Sequence, residues 1–270
     1  MTEPAEKKPL PQEVVEAHEK SLELARGEGQ ERNMDEAVRL MKVAAQGGHP
    51  QAQCNLGFLY ATGDGVEADS EEAVRWLTQS AENGEIQAIY NLAQLYLGGH
   101  GVEENAEMAM ALMRKAASKG HPDALYNIGI FSYNGDMGLE KDHKAAFVFF
   151  ENAAKAGHAE ALFSVGLCCS LGHGTELNTI KAVDCYKQAA EKGNANAIFN
   201  LGLYYYYGEG GLAKDLDLAE DLFQRAAAMG HDKAASAATS VAEEKKQGGK
   251  GGQAGQKAAE GDDPFKDIQL

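Results

Sequence analysis

Residues 52–84 read AQCNLGFLYATGDGVEADSEEAVRWLTQSAENG, and this stretch decides the fold. Ala52, Leu56 and Tyr60 lie four residues apart, which is the spacing of one face of an α-helix. The second half carries another stripe at helical spacing, made of Ala73, Trp76, Leu77, Ser80 and Ala81. The stretch therefore predicts two amphipathic helices joined by a loop.

The loop and the helix ends are marked by residues with known backbone preferences. Gly63 and Gly65 suit a turn that needs positive φ, and Gly84 suits the left-handed residue that follows a helix. Asp69 is placed to cap the second helix, and Glu72 three residues later completes the pattern of a capping box. These signals predict a first helix that ends before the glycine turn and a second that begins after Asp69.

The same unit returns along the chain at intervals of 36 or 37 residues. The glycines that end its second helix are Gly48, Gly84, Gly120, Gly157, Gly193 and Gly230. The predicted N-caps of the second helix are Asn33, Asp69, Asn105, Asp142, Asn178 and Asp215. Where the interval is 37, the extra residue falls in the inter-helix loop, near Met137 and near Gly211. A fixed period of this length predicts an all-α solenoid of about six helix-turn-helix repeats, without a β-sheet.

A glycine inside the first helix, Gly57, needs an explanation, because helical glycine costs about 1 kcal/mol relative to alanine. We expect the neighbouring helix to approach this position closely. At the N-terminal end, residues 11–26 take the place of a first helix, but Lys20 and Ser21 replace the leucine-glycine pair. A polar outer face is expected there, because stacking stops at the terminal repeat.

Composition divides the chain into three segments. Residues 1–10 are expected to be a flexible N-terminus, residues 11–247 the solenoid with its capping helices, and residues 248–270 a disordered Gly/Gln/Lys-rich tail. The tail contains Asp-Pro-Phe at 263–265, which resembles motifs of endocytic adaptors. Its last residues, 268–270, resemble a terminus that PDZ domains bind.

Charge and cysteine usage narrow the functional classes. The formal net charge of −16 and a pI near 4.9 argue against nucleic-acid binding, because an acidic surface repels phosphates, and they favour a basic partner. There is no signal peptide and no run of eighteen apolar residues, so neither secretion nor a membrane span is expected. The cysteines share no repeat phase and no CxxC spacing, which predicts reduced, mostly buried thiols in a cytoplasmic protein. They are Cys54, Cys168, Cys169 and Cys185.

The unit AxxxLGxxYxxGxGVxxDxxxAxxWLxxxAxxG, as it stands from Ala52 to Gly84, closely resembles the Sel1-like repeat family. The resemblance extends over about residues 11–230 and recurs about six times. It implies a right-handed α-superhelix and a role as an adaptor or scaffold in multiprotein complexes. Some cysteine-rich bacterial relatives are described as β-lactamase-like, which leaves a hydrolase as the alternative function. This chain lacks their paired cysteines and has no Ser-x-x-Lys motif, so the resemblance favours a scaffold.

Other features have structural explanations. Four histidines directly follow the helix-ending glycine, but successive repeats are too far apart for these side chains to meet at one metal ion. We expect them to form a turn hydrogen bond or to begin the next helix; they are His49, His121, His158 and His231. The GxG turns follow helices and lack the GK[ST] of a phosphate loop. No catalytic, metal-binding or cofactor-binding residues are therefore predicted, and the protein is not expected to be an enzyme.

The candidate site is a row of polar residues before the leucine-glycine pair, where a helix interior does not favour asparagine. Its members are Asn55, Asn91, Asn127, Ser164 and Asn200. These side chains either form hydrogen bonds between adjacent repeats or bind the backbone of a peptide on the concave first-helix face. Apolar anchors for such a peptide would come from Phe58, Leu59, Leu95, Phe131 and Tyr204. The predicted binding surface is centred on Asn91 and Asn127.

Overall fold

The computed structural model describes residues 9–29 and 31–248, which form thirteen α-helices and no strand. The helices are α1 (Gln12–Arg26), α2 (Met34–Gln46), α3 (Pro50–Thr62), α4 (Ser70–Glu82), α5 (Ile86–Gly98), α6 (Ala106–Ser118), α7 (Pro122–Asn134), α8 (His143–Lys155), α9 (Ala159–Leu171), α10 (Thr179–Glu191), α11 (Ala195–Tyr207), α12 (Leu216–Ala228) and α13 (Ala234–Gly248). The predicted all-α solenoid class is confirmed. The two short motifs of the tail lie outside the described residues.

The chain forms two compact units, unit 1 within Met1–Leu125 and unit 2 within Tyr126–Leu270. In unit 1, helices α1 and α2, α3 and α4, and α5 and α6 pack as pairs, and α2 and α4 each pack on the following first helix. In unit 2, α9 pairs with α10 and α11 with α12, while α8, α10 and α12 each pack on the helix that follows. The odd-numbered helices are the first helices of the repeats and the even-numbered ones the second helices.

All six predicted N-caps of the second helices are confirmed, because each side chain accepts a backbone N–H from the first turn. Only half of the predicted capping box at Asp69 and Glu72 forms: Oδ1 of Asp69 accepts the Glu72 N–H at 3.0 Å, but the Asp69 N–H does not bond to the Glu72 side chain. The Asp69 N–H donates to the Tyr60 carbonyl at 2.9 Å, while Glu72 accepts the Trp76 indole N–H at 3.1 Å. The backbone N–H of Asp69 thus bonds to the first helix, so it is not available to the Glu72 side chain.

The glycines behave as their positions predict. The six that end the second helices have φ between 82° and 96°, a conformation that favours glycine. A Cβ on Gly57 would lie 2.7 Å from Cγ of Leu77, so the expected close approach of the second helix is confirmed. The inserted residue near Met137 also lies in a loop, where Met137 takes φ of 55°.

The first helix of the chain differs from expectation at one residue. Lys20 is exposed, as predicted for a polar end, but Ser21 is fully buried and donates to the His18 carbonyl at 2.6 Å. Ser21 also contacts Sδ of Met41 at 3.6 Å, so it takes the place that glycine has in later repeats. A small side chain is required there because α2 packs against this position.

Candidate interaction surface

The asparagines of unit 1 bond toward the preceding first helix. Nδ2 of Asn55 lies 3.4 Å from Nε2 of His18, and Nδ2 of Asn91 donates to Sγ of Cys54 at 3.9 Å. Both asparagines are half-buried, and Oδ1 of Asn91 accepts from Gln87 at 2.9 Å. Each amide therefore contacts an adjacent repeat and remains partly accessible to solvent.

The residues that precede the leucine-glycine position are less accessible to solvent in unit 2. Asn127 is half-buried on α7, whereas Ser164 and Asn200 are buried, the latter with 4% of its surface exposed. Nδ2 of Asn200 has no partner in hydrogen-bond geometry among the described residues, although the amide lies beside the Tyr186 hydroxyl. Residues at this one repeat position therefore differ in burial and in hydrogen bonding.

The predicted apolar anchors also separate by exposure. Phe58 is 53% exposed, Leu59, Phe131 and Tyr204 are half-buried, and Leu95 is buried in the core. The Phe58 ring is thus largely exposed to solvent, whereas Leu95 packs in the interior.

A groove of about 290 Å³ lies beside Phe58 in unit 1, and we call it the N-terminal groove. Its walls come from α1, α2 and α3 and are mostly apolar; they include Leu22, Met34, Val38, Met41, Phe58 and Leu59. Its polar groups are Arg26, Gln51 and Asn55. Asn55, a predicted ligand-binding amide, and Phe58, a predicted apolar anchor, therefore line the same groove. Leu22 and Met34 were not predicted as groove residues, because their positions in the repeat do not mark them as surface residues.

A second cavity, of about 650 Å³, has a different character. It lies between α2 and the loop after α3, and its charged lining residues are one lysine and three acidic residues: Lys42, Asp35, Glu67 and Asp69. Lys42 also lies 5.5 Å from the centre of the Tyr60 ring. This cavity offers charge but little apolar area.

Three of the four histidines after the helix-ending glycine cap a first helix, which agrees with the predicted turn hydrogen bond. Nδ1 of His49, His121 and His158 accepts the backbone N–H three residues later, at 3.3, 3.3 and 3.2 Å. His231 is different, because its Nδ1 has no hydrogen-bond partner in the described chain. Among the described residues, no group of three or more His, Cys, Asp or Glu side chains is placed to hold a metal ion.

The four cysteines are free and buried, as expected. Burial raises the pKa of the Cys54 and Cys168 thiols to about 12 and that of Cys185 to about 11, so all three are protonated at neutral pH. A nucleophilic cysteine needs the opposite shift, which disfavours thiol catalysis at these positions. No helix among the described residues is long and apolar enough to cross a membrane.

The chain belongs to the Sel1 repeat family, whose repeat matches residues 22–49, 50–85, 86–121, 122–158, 159–194 and 195–231. Sel1-repeat proteins generally act as protein-interaction scaffolds, and the family is generally non-catalytic. No curated protein matches the chain.

Solved structures show the same fold. A protective antigen of uropathogenic Escherichia coli with an SLR fold is 26% identical, with a TM-score of 0.78 over 86% of this chain and 50% of that one. A Sel1 repeat protein from Oxalobacter formigenes is 29% identical, with a TM-score of 0.74 over 83% of this chain and 64% of that one. The chain thus spans half, or just under two thirds, of these proteins. An immunity protein from Pseudomonas aeruginosa, 23% identical over 82% of this chain and 83% of its own, shares the fold with a TM-score of 0.51.

Proposed function

We propose that this protein is a non-catalytic scaffold that binds a protein or peptide segment on the face formed by its first helices. The observation that carries the proposal is the N-terminal groove, where the exposed Phe58 ring and the Asn55 amide border an apolar depression. Aromatic residues next to apolar pockets contribute much of the binding energy in protein interfaces.

The groove has the size and chemistry for a side chain of a peptide. Its 290 Å³ lies just below the range of about 300–1,000 Å³ for small-molecule pockets, which suits one or two apolar side chains. Asn55 and Gln51 at its border can donate and accept hydrogen bonds, which fits recognition of a peptide backbone. Met34 and Met41 are flexible and can adapt to different apolar groups.

Electrostatics favour a partner with net positive charge. The chain carries a formal charge of −16, and such a field speeds the approach of a basic segment. Arg26 at the groove is itself paired with Glu28 at 3.3 Å, so it adds little unpaired positive charge there. We infer an apolar anchor flanked by basic residues as the preferred ligand. The buried thiols support a reducing compartment, the cytoplasm, as the place of action.

The test compares two exposed apolar residues of unit 1. Phe58→Ala removes the ring at the groove, whereas Val43→Ala removes a side chain that is 44% exposed on α2 and lies outside the groove. Partners are first identified by proximity labelling with the wild-type chain, and the Kd of a purified partner is then measured for each variant. We expect Phe58→Ala to weaken binding at least tenfold, since interface hot spots contribute about 2 kcal/mol or more, with little change for Val43→Ala. Equal affinities of both variants for every partner would contradict the proposal.

The asparagine row provides a second test. Replacing Asn91 and Asn127 with alanine is expected to weaken partner binding severalfold, because each lost amide contact costs about 1 kcal/mol. Circular dichroism and thermal melting of the same variant separate the two explanations of the row. Normal binding together with a clearly lower melting temperature would show that these asparagines join repeats and do not bind the ligand.

A further inference from the structure

Three first helices begin with a histidine whose ring caps the helix N-terminus. Nδ1 of each ring accepts a backbone N–H, so that nitrogen carries no proton. The pairs are His49 with Ala52, His121 with Ala124, and His158 with Ala161.

Each capping ring also lies against a ring of the preceding first helix. His49 contacts His18 at a centroid distance of 4.1 Å, His121 stacks on Tyr90 at 4.6 Å, and His158 stacks on Tyr126 at 4.2 Å. The histidine therefore does two things at once, because it caps one helix and packs on another. A change in its protonation state affects both contacts.

We propose that these three histidine caps form a pH-sensitive set, in which mild acid protonates the rings, breaks the caps and loosens the first turns of α3, α7 and α9. At His121, the hydrogen bonds of both ring nitrogens explain why protonation breaks the cap. Its Nε2 lies 3.0 Å from Oε1 of Gln87 while Nδ1 accepts the Ala124 N–H, so the neutral ring with its proton on Nε2 satisfies both nitrogens. A second proton on Nδ1 would point at the Ala124 N–H, where two donors repel.

The carboxylates around His49 and His121 favour protonation of the two rings. Glu19 and Glu85 act on His49, and Asp123 acts on His121; each of these carboxylates raises the pKa of its histidine. Oε2 of Glu160 lies 3.4 Å from Nδ1 of His158. His18 is the titratable neighbour of His49, and the coulombic effect between them lowers the pKa of His18.

At His49 and His121, burial affects the pKa more than these carboxylates do. It lowers the pKa of His49 and of His121, and it is the main reason that the pKa of His18 falls to about 4. Histidine in an unfolded chain titrates near pH 6.5. The unfolded state therefore binds more protons as pH falls through 6.5, and stability is lost from there down to the folded-state pKa.

The chain contains its own matched control. In α11 the equivalent residue is Asn194, whose Oδ1 accepts the Ala197 N–H at 2.8 Å. An asparagine cap makes the same hydrogen bond and does not titrate in this range. Exchanging histidine and asparagine at these positions therefore changes the titration and keeps the cap.

The experiment uses the full chain and urea unfolding at pH 7.5 and pH 5.0. The variants are the wild type, a triple variant with His49→Asn, His121→Asn and His158→Asn, and the reverse variant Asn194→His. From pH 7.5 to 5.0 we expect the unfolding equilibrium constant of the wild type to rise severalfold more than that of the triple variant, since rings whose pKa is lowered by folding lose stability as pH falls below 6.5. The reverse variant should depend on pH more steeply than the wild type.

Hydrogen exchange on the wild type keeps the test decisive if the triple variant does not fold. Protection factors of the Ala52, Ala124 and Ala161 amides should fall on acidification, while that of the Ala197 amide should not. Equal pH dependence of the wild type and the triple variant would overturn the proposal, as would equal loss of protection at all four amides. A triple variant that is less stable by the same factor at both pH values would also overturn it, because the histidines would then be pH-independent caps.

Discussion

Helices α5 and α11 hold the same place in their repeats, yet they differ at two neighbouring positions. At the position of the helical glycine, α5 has the buried Ala93 and α11 has Gly202. At the asparagine two residues earlier, Asn91 is half-buried and bonded to Gln87, whereas only 4% of Asn200 is exposed. The repeat is the same, so the difference must come from what packs against each helix.

The second helix of each repeat supplies the explanation. In α12 the Phe223 ring fills the space next to α11, where a Cβ on Gly202 would lie 2.6 Å from Cε1. The equivalent residue of α6 is the buried Met113, twenty residues after Ala93, as Leu77 is after Gly57. Methionine is unbranched and adapts its shape, so it leaves room for a methyl group. A repeat position therefore acquires its properties from its partner helix as well as from its own residue.

The largest expected effect follows from this difference in packing. Gly202→Ala should destabilise the protein by about 1–3 kcal/mol, because the new methyl overlaps a rigid aromatic ring. Urea unfolding of the variant measures the loss. Combining Gly202→Ala with Phe223→Met, which copies α6, should cost less than the sum of the two single changes. Strict additivity would show that the Phe223 ring does not determine the need for glycine.

The same position in α5 provides the reciprocal change. Ala93→Gly should cost about 1 kcal/mol through helix propensity and the loss of a buried methyl. If Ala93→Gly instead stabilised the protein, α6 would also require a glycine opposite it, and the comparison between the two helices would fail.

The helix caps give an intermediate effect. Asn194 caps α11, whereas Glu85, at the start of α5, makes no side-chain cap hydrogen bond within the described chain. Asn194→Ala should therefore cost about 1 kcal/mol, while Glu85→Asn should stabilise by up to about 1 kcal/mol. Thermal unfolding at pH 7.5 measures both variants. A loss of stability in Glu85→Asn would mean that this glutamate has a partner that outweighs a cap.

The smallest effect is expected at the buried asparagine of α11. Asn200→Ala should change the free energy of unfolding by less than about 1 kcal/mol, because Nδ2 of this buried amide has no partner in hydrogen-bond geometry among the described residues, and its removal offsets the small cavity that is left. Partner affinity should also stay unchanged, in contrast to the variant that lacks Asn91 and Asn127. A clear loss of binding in Asn200→Ala would show that α11 opens to admit a ligand.

Local chemistry was predictable from the sequence where the residues involved are close in the chain. The six N-caps, the left-handed glycines after the second helices and the histidine turn bonds all depend on neighbours within about four residues. The second half of the capping box, from the Glu72 side chain, does not form because the Asp69 N–H bonds to Tyr60, nine residues earlier, and no local rule includes that acceptor. Leu95 was expected to be an anchor and is buried, because repeat phase gives the face of a helix but not its depth.

The sequence by itself determined the repeat, its period, the helix boundaries and the need for small residues inside the first helices. These features arise from backbone geometry and from contacts that recur in every unit. Tertiary structure alone decided that Phe58 stays exposed beside a groove, that Asn200 is buried, and that three capping histidines lie against rings of the preceding first helix. Those outcomes depend on how particular side chains from different repeats fill the space between helices, and that space has no counterpart in a single repeat.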